Sequence, residues 1–308
     1  MFSMEVFSEL KESKNLSLAL GFFDGIHEGH QVVIKNAINI AKTMGTKSGI
    51  LMFKEHPLSF ISHKKFQNIL NLEDKLSYLK KIGVDEVYLL DFPKFENLSA
   101  EEYIKNIIFK YFSPVAITTG FNHSFGKNKS GNPRVLREFQ KEYGYKYYEI
   151  PPITCNQTVI SSSIVKKSIE EGNVYFAQSL LGYRFFIRSK VIEGQHIASA
   201  LGFPSANFVY PENIVKIPNG VYYVIVTCRD RKYNGILNHS DCPSLFPTKE
   251  PKTEVHLLDF NEDIYGEEIK ISFVTKIRNE LNFENKEKLS AQLLRDKAFV
   301  EIYKYYVT

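Results

Sequence analysis

Apolar positions along the first half of the chain follow two alternating rhythms. Leu16 to Leu20 is a short apolar run that ends at Gly21. Val33, Ala37, Ile40, Ala41 and Met44 then recur at helical spacing until Gly45 stops the pattern. Ser48 to Phe53 predicts a second strand, Leu72 to Ile82 an amphipathic helix, and VDEVYLLDF a further strand. Ser99 and Glu102 form a capping-box pattern ahead of Tyr103, Ile107 and Ile108. PVAITTG predicts another buried strand, Val135 to Tyr143 another helix, and YKYYEI one more strand. This alternation implies an α/β domain, a parallel sheet with helices on both faces.

Near Gly182 the texture changes. The helix-like segments Ile164 to Glu171 and Val174 to Leu181 give way to VYYVIVTC, YNGILN, TEVHLLDF and EIKISFV. These runs are rich in β-branched and aromatic residues and are separated by turn residues. They predict a small antiparallel barrel or sandwich, closed by a helix from about Asn285 to Tyr303. Two domains follow, residues 1–183 and 184–308, as suits a 308-residue chain at roughly 100–200 residues per domain.

Composition narrows the class. Hydrophobic residues make up 44% and charged residues 24%, the balance of a soluble globular chain with an ample core. The formal net charge is only +4, and no long run of like charges marks a nucleic-acid-binding tail. KNKSGNPRVLREFQKEYGYKYY mixes basic and aromatic residues, but its acidic residues and helical period describe a solvated helix face. Three scattered cysteines with no CxxC argue against a disulfide framework or a zinc site. The first residues lack a signal-peptide apolar core, and no stretch reaches the ~18 apolar residues of a membrane span. The expectation is a cytoplasmic protein with neither membrane nor nucleic-acid partner.

Candidate chemistry concentrates after the first strand. GFFDGIHEGH places Gly21, Phe22, Phe23, Asp24, Gly25 and Gly29 between a strand and a helix. Glycine there permits close backbone approach to a ligand, and a helix N-terminus favours an anion. His27 and His30, three apart, can turn both imidazoles toward one phosphate and stabilise charge building at phosphorus. A capped helix with two surface histidines, or a zinc pair lacking its third ligand, fits that spacing too. FKEHP and GFNHSFG also fall near strand C-termini, where ligands of such sheets sit. One shared site is therefore expected. ISSS reads either as a serine N-cap or as a phosphate cradle.

GFFDGIHEGH resembles the GxFDGxHxGH signature of the bacterial bifunctional riboflavin kinase/FMN adenylyltransferases, or FAD synthetases. Its HxGH core is shared with the wider nucleotidyltransferase superfamily. The resemblance runs through nearly the whole chain in order. FKEHPLSF is similar to the family's FxPHP segment and places His56 and Pro57 at the flavin, with Glu55 in place of the first Pro. GFNHSFGKNKSGN is similar to the Gx(N/D)FxFG loop, placing Asn122 in the catalytic set and Phe125 at the flavin, with His123 where an aromatic is usual. ISSSIVK resembles the ISSTxIR segment and implies ATP contacts for Ser162, Ser163 and Lys166. Lys166 replaces an Arg and loses its bidentate fork. The resemblance implies a Rossmann-like nucleotidyltransferase domain and a riboflavin-kinase-like β-barrel. In the first, AMP passes from ATP to FMN to give FAD, with Mg²⁺ on the phosphates.

In the second half LGFPSANF resembles the GxPTAN segment, which implies Mg²⁺ contacts for Ser205 and Asn207. TEVHLLDF resembles the VExxLxDF strand, implying that Glu254 is the general base for the riboflavin 5′-hydroxyl. A surface charge on an edge strand fits Glu254 as well. The downstream RxE block implies flavin contact for Arg278. The segment before the Pro departs from the pattern: EGQHIASALG has Glu193, Ala198 and Ser199 where the family has His, Gly and Arg, and Cys242 replaces another Arg. Three readings follow: the bifunctional enzyme, an adenylyltransferase with a non-catalytic flavin-binding module, and a flavin- or RNA-binding regulator.

Overall fold

Leu18 and Leu20 face one side of their strand and Ala19 the other, and both sides are apolar because both are covered. The same alternation continues in the neighbouring strands. Leu51, Tyr88, Leu90 and Ile117 join Leu18 in one core, while Ile50, Met52, Val87 and Leu89 join Ala19 in the other. The computed structural model describes residues 3–61, 66–193, 205–240 and 252–306. Two compact units emerge, Met1–Ser162 and Ser163–Thr308.

The first unit is a six-stranded parallel sheet. Its strands are β1 (Glu5–Phe7), β2 (Ser17–Leu20), β3 (Ser48–Phe53), β4 (Glu86–Leu90), β5 (Ala116–Gly120) and β6 (Lys146–Ile150), in the order β1-β4-β3-β2-β5-β6. From β2 the chain moves outward through β3 to β4, then crosses back to β5 on the other side. The order therefore reverses beside β2, the position where open α/β sheets leave a crevice at the strand C-termini.

The helices obey their local signals. α1 (Glu28–Met44) stops at Gly45 in the left-handed region. α2 (Pro57–Ile61) is a single short turn. α3 (Leu72–Ile82) starts on the Asn71 side chain, which accepts from the Asp74 amide, and ends at Gly83. The Ser99–Glu102 capping box forms as predicted ahead of α4 (Ala100–Tyr103), which widens into a π-helix over Ile104–Phe112. α5 (Pro133–Tyr143) is capped by Asn132, with Pro at its first position. A two-stranded hairpin, β7 (Thr154–Cys155) with β8 (Thr158–Val159), follows.

The second unit begins with α6, which spans Ser162–Glu170, and α7 (Val174–Leu181). Its body is a closed antiparallel barrel of β9 (Phe186–Ile192), β10 (Ser205–Phe208), β11 (Gly220–Cys228), β12 (Arg231–Ser240), β13 (Lys252–Leu257) and β14 (Glu268–Arg278). Closure removes the free sheet edge. The long helix α8 (Lys286–Tyr303) lays Val300, Phe299 and Tyr303 against Val221, Tyr223 and Ile236.

The compact units divide at Ser162/Ser163, ahead of the 183/184 boundary read from sequence texture. Gly172, between α6 and α7, sits directly against Lys276, Pro218 and Tyr222 of the barrel unit.

One ion pair pins α8. Asp296, 1% exposed, accepts from Arg278 Nε at 3.0 Å and Nη2 at 2.8 Å, and from Gln292 at 2.9 Å. Removing one partner of a buried pair strands the other charge, which costs about 3–5 kcal/mol. Asp296→Ala is therefore expected to lower the barrel's melting temperature by several degrees, read by calorimetry. A melt within one degree of wild type would contradict this account.

Candidate active site

The segment after β2 runs along the C-terminal edge of the sheet. Phe23, Gly25 and Ile26 all have positive φ, at 54°, 72° and 37°. Such backbone is costly for Phe and Ile and persists only where its surroundings enforce it. Those surroundings are visible. The Asp24 carboxylate, 3% exposed, accepts from the Ile69 amide at 2.9 Å. The Lys75 ammonium donates to the Phe22 carbonyl at 3.0 Å. Ser162 Oγ donates to the Asp24 carbonyl at 3.1 Å, so the serine motif does reach this turn.

The glycines are also needed for packing. A Cβ on Gly21 would lie 2.8 Å from the Phe23 ring, one on Gly25 2.9 Å from Ile69, and one on Gly29 3.3 Å from the His27 ring. The close approaches are to protein side chains that pack the turn.

His27 is the N-cap of α1. Its Nδ1 accepts from the His30 amide at 3.3 Å, so in the neutral ring the proton sits on Nε2, which is left as a donor. The two imidazoles stack with centroids 3.6 Å apart and planes at 18°, and Phe23 closes edge-on over His30 at 5.3 Å. Burial pushes His27 down to about 4, against a smaller opposing pull from Asp24. His30 is driven well below its ordinary value by burial first, then by the neighbouring His27 and Lys75. Both rings are neutral at physiological pH. His27 Nε2 is therefore a neutral hydrogen-bond donor at a helix N-terminus, while the His30 ring is bonded to the Asp24 carbonyl. His30 Nδ1 is buried with no hydrogen-bond partner among the described residues.

The second motif joins the first. His56, just before α2, meets Phe22 edge-on at 4.6 Å and stacks on Phe66 at 3.7 Å. Its Nδ1 accepts from the Leu58 amide, and Pro57 starts the short helix. Asn122 stands exposed after β5, with its Oδ1 beside Gly120, which Val33 of α1 also approaches. Ser163, exposed, and Lys166, half-buried, follow Ser162 along α6.

Phe125 is largely buried. It is 9% exposed, packs near Tyr103 at 5.6 Å, and covers Gly131 so closely that no Cβ fits there. His123 lies against it at 5.7 Å, and burial holds that imidazole down to about 4. An unprotonated His is a flat aromatic ring, which accounts for its use in an aromatic position. Arg278 likewise spends its guanidinium on Asp296 and the Asn279 carbonyl rather than on open surface.

Sequence reading passed over Lys75. It sits 2% exposed on the apolar face of α3, between Leu72 and Leu79, with its ammonium 4.0 Å from the centre of the Phe22 ring. A lysine at an inward position of an amphipathic helix was the available signal.

A second polar row crosses the barrel. Asn207 of β10 and Asn238 of β12 flank Glu254 of β13 in register. Ser205 Oγ donates to Glu254 Oε2 at 3.2 Å. Ala206, Phe208, Val255 and Leu257 alternate with these residues and are buried, so the polar row faces outward. Asn238 was not singled out from the sequence. Glu193 is exposed just beyond β9, while Ala198, Ser199 and Cys242 lie outside the described residues. Among the described residues no group of three or more His, Cys, Asp or Glu side chains is placed to hold a metal ion. No helix among them is long and apolar enough to cross a membrane.

A family model described as FAD synthetase matches residues 9–164, and one described as riboflavin kinase matches residues 181–303. The bifunctional riboflavin kinase/FMN adenylyltransferase of Buchnera aphidicola subsp. Schizaphis graminum is 35% identical over 96% of this chain and 95% of its own length. That of Bacillus subtilis is 32% identical over 94% of this chain and 92% of its own length. The chain belongs to the bifunctional riboflavin kinase/FMN adenylyltransferase family. A crystal structure named as a macrolide-efflux protein from Streptococcus pneumoniae is 28% identical, with a TM-score of 0.86, covering 96% of this chain and 98% of that one. The FAD synthetase match contains the histidine pair and the turn that holds it. The riboflavin kinase match contains the polar row. Between the two matches lie most of α6 and α7, the stretch over which the compact units and the sequence texture divide differently.

Proposed function

We infer that this chain makes FAD from riboflavin in two ATP-dependent steps, one in each half. The observation that carries the adenylyl-transfer step is the stacked, neutral His27–His30 pair at the start of α1, at the point where strand order reverses. A phosphate oxygen of FMN attacks the α-phosphorus of ATP. The bond from that phosphorus to the bridging oxygen of the β-phosphate breaks, and pyrophosphate leaves with the electron pair. No protein nucleophile is needed, so catalysis is positioning and charge stabilisation. His27 and His30 donate hydrogen bonds to phosphoryl oxygens, and the main chain from Gly21 to Gly29 frames the anion. Ser162, Ser163 and Lys166 hold the outer phosphates, and Asn122 orients the reacting groups. His56 and Pro57 line the flavin side, where the Phe22–His56–Phe66 rings form an aromatic wall.

In the barrel, Glu254 takes the proton from the riboflavin 5′-hydroxyl as that oxygen attacks the γ-phosphorus of a second ATP, releasing ADP. The Ser205 hydroxyl and the Asn207 amide oxygen are hard oxygen donors, the kind Mg²⁺ takes. These two residues would hold the metal, whose chemistry when bound would be to neutralise charge on the phosphates. The substrates are small molecules, and the reading carries with it a cytoplasmic location, where ATP and Mg²⁺ are supplied.

A second reading, adenylyl transfer with a non-catalytic barrel, draws on Glu193, an exposed carboxylate where the family carries His. One assay separates the two. Purified protein with Mg-ATP receives riboflavin or FMN, and products are resolved by chromatography. The expected result is FMN and FAD from riboflavin, and FAD from FMN. FAD from FMN alone selects the second reading, and neither product overturns both.

A further inference from the structure

The loop after β5 carries a side chain that the mechanism above leaves unused. His123 comes one residue after Asn122, beyond the C-terminal end of the strand that pairs with β2. Its amide donates to the Gly120 carbonyl at 3.1 Å and closes a turn there. The ring lies nearly parallel to that of Phe125, at 22° and 5.7 Å. Phe125 is itself clamped: its amide donates to the Gly131 carbonyl at 3.1 Å, and its carbonyl accepts from the Gly131 amide at 2.9 Å. The imidazole therefore has a fixed seat. In that seat Nε2 is buried with no hydrogen-bond partner among the described residues. An orphaned N–H is costlier in such a place than an orphaned lone pair. The proton therefore belongs on Nδ1, the other polar atom of a side chain that is only half-buried. Burial holds the ring down to about 4, so it is neutral at physiological pH. Packing accounts for a flat ring here but not for its N–H. The family's usual aromatic would fill the same seat and bury no orphaned nitrogen.

We propose that His123 is a further binding residue of the adenylyl-transfer site, giving its Nδ1–H to an anionic phosphoryl oxygen of a bound substrate. This rests on the adenylyltransferase reading above. The loop stands on β5, next to β2, where the strand order reverses and where the turn carrying His27 also ends its strand. Ligands of such sheets sit at that crevice. A fixed N–H that meets an ionised oxygen forms a charge-assisted bond, roughly twice as strong as a neutral one. It does so without the desolvation cost of a buried cation. The orphaned Nε2 is then the cost of presenting a donor on the open side of the ring. FMN and ATP both carry such an oxygen, and their separate KM values tell them apart.

Two substitutions separate the donor from the ring. His123→Phe keeps a flat ring against Phe125 and removes the N–H. His123→Asn gives up the ring but sets an amide N–H where Nδ1 stood. Melting temperature and riboflavin phosphorylation by the full-length protein control for folding. For His123→Phe the expected result is about a tenfold rise in KM for FMN or for ATP in FAD formation, with a melting temperature unchanged or raised. The substrate whose KM rises is the one whose phosphate His123 holds. His123→Asn is expected to keep that KM close to wild type. A wild-type KM for both substrates in His123→Phe would assign His123 to packing and overturn the proposal. A folded Asn variant as impaired as the Phe variant would overturn it too. If the Asn variant does not fold, the Phe variant decides alone. Wild-type conversion of FMN to FAD is measured first, and its absence counts against the functional reading. In that event calorimetric titration of the full chain with FMN and with ATP decides on His123. The Phe variant loses affinity for one of them if the proposal holds and for neither if it fails.

Discussion

His30→Ala is expected to lower FAD formation from FMN by about 10²–10³, the usual cost of deleting one preorganised donor to a developing oxyanion. Phosphorylation of riboflavin by the same protein is expected to be unchanged, since the barrel is a separate compact unit. The reason lies in how little freedom the ring has. It is stacked on His27 at 3.6 Å, closed by Phe23 at 5.3 Å, and carried by the first turn of a helix whose cap is His27 itself. Preorganisation of this kind cannot be recovered by a water molecule in the space left behind. A folded His30→Ala protein with wild-type FAD formation would remove the histidine pair from the mechanism.

The same burial gives this pair a pH signature. His27 titrates at about 4 in the folded chain and near 6.5 when unfolded. Between those values the unfolded chain binds more protons, so the histidine's contribution to stability is complete above pH ~6.5. It is lost as pH falls toward 4. Melting temperature is expected to decline over that window, and His27→Gln to flatten the decline. FAD formation, by contrast, is expected to show no histidine titration near pH 6.5, because both rings are already neutral there.

Much of this site was legible because an α/β sheet sorts its motifs. GFFDGIHEGH, KEHP and GFNHSFG each follow a strand, and those strands, β2, β3 and β5, prove to be neighbours with β2 in the middle. Alternation of strand and helix was enough to put them on one edge. What stayed hidden depends on contacts distant in sequence. Gly21 and Gly25 read as places of close ligand approach, and only the fold shows that Phe23 and Ile69 also crowd them. Lys75 drew no reading, because nothing in its own window announces the Phe22 carbonyl. Phe125 and Arg278 sit in recognisable motifs, but only folding brings Gly131 and Asp296 to them. β1, β7 and β8 are three residues or fewer, too short for a period to register.

Glu254→Gln is expected to reduce riboflavin phosphorylation by about 10²–10⁴, the span attributed to a positioned general base. FAD formation from supplied FMN is expected to be unaffected. The substitution is nearly isosteric. Gln keeps a carbonyl oxygen for the Ser205 hydroxyl, now 3.2 Å from the carboxylate, and leaves Val255 and Leu257 in the barrel interior. What it removes is the ability to take a proton. Glu254 stands in the middle of three strands with an asparagine on either side, at Asn207 and Asn238, so the carboxylate is flanked by neutral amides. An edge-strand surface charge has no such setting, and its removal would alter no rate. If Glu254→Gln phosphorylates riboflavin as fast as wild type, that bland reading is the correct one. Glu254 then serves only to orient Ser205 and Asn207, and the proton must leave by another route.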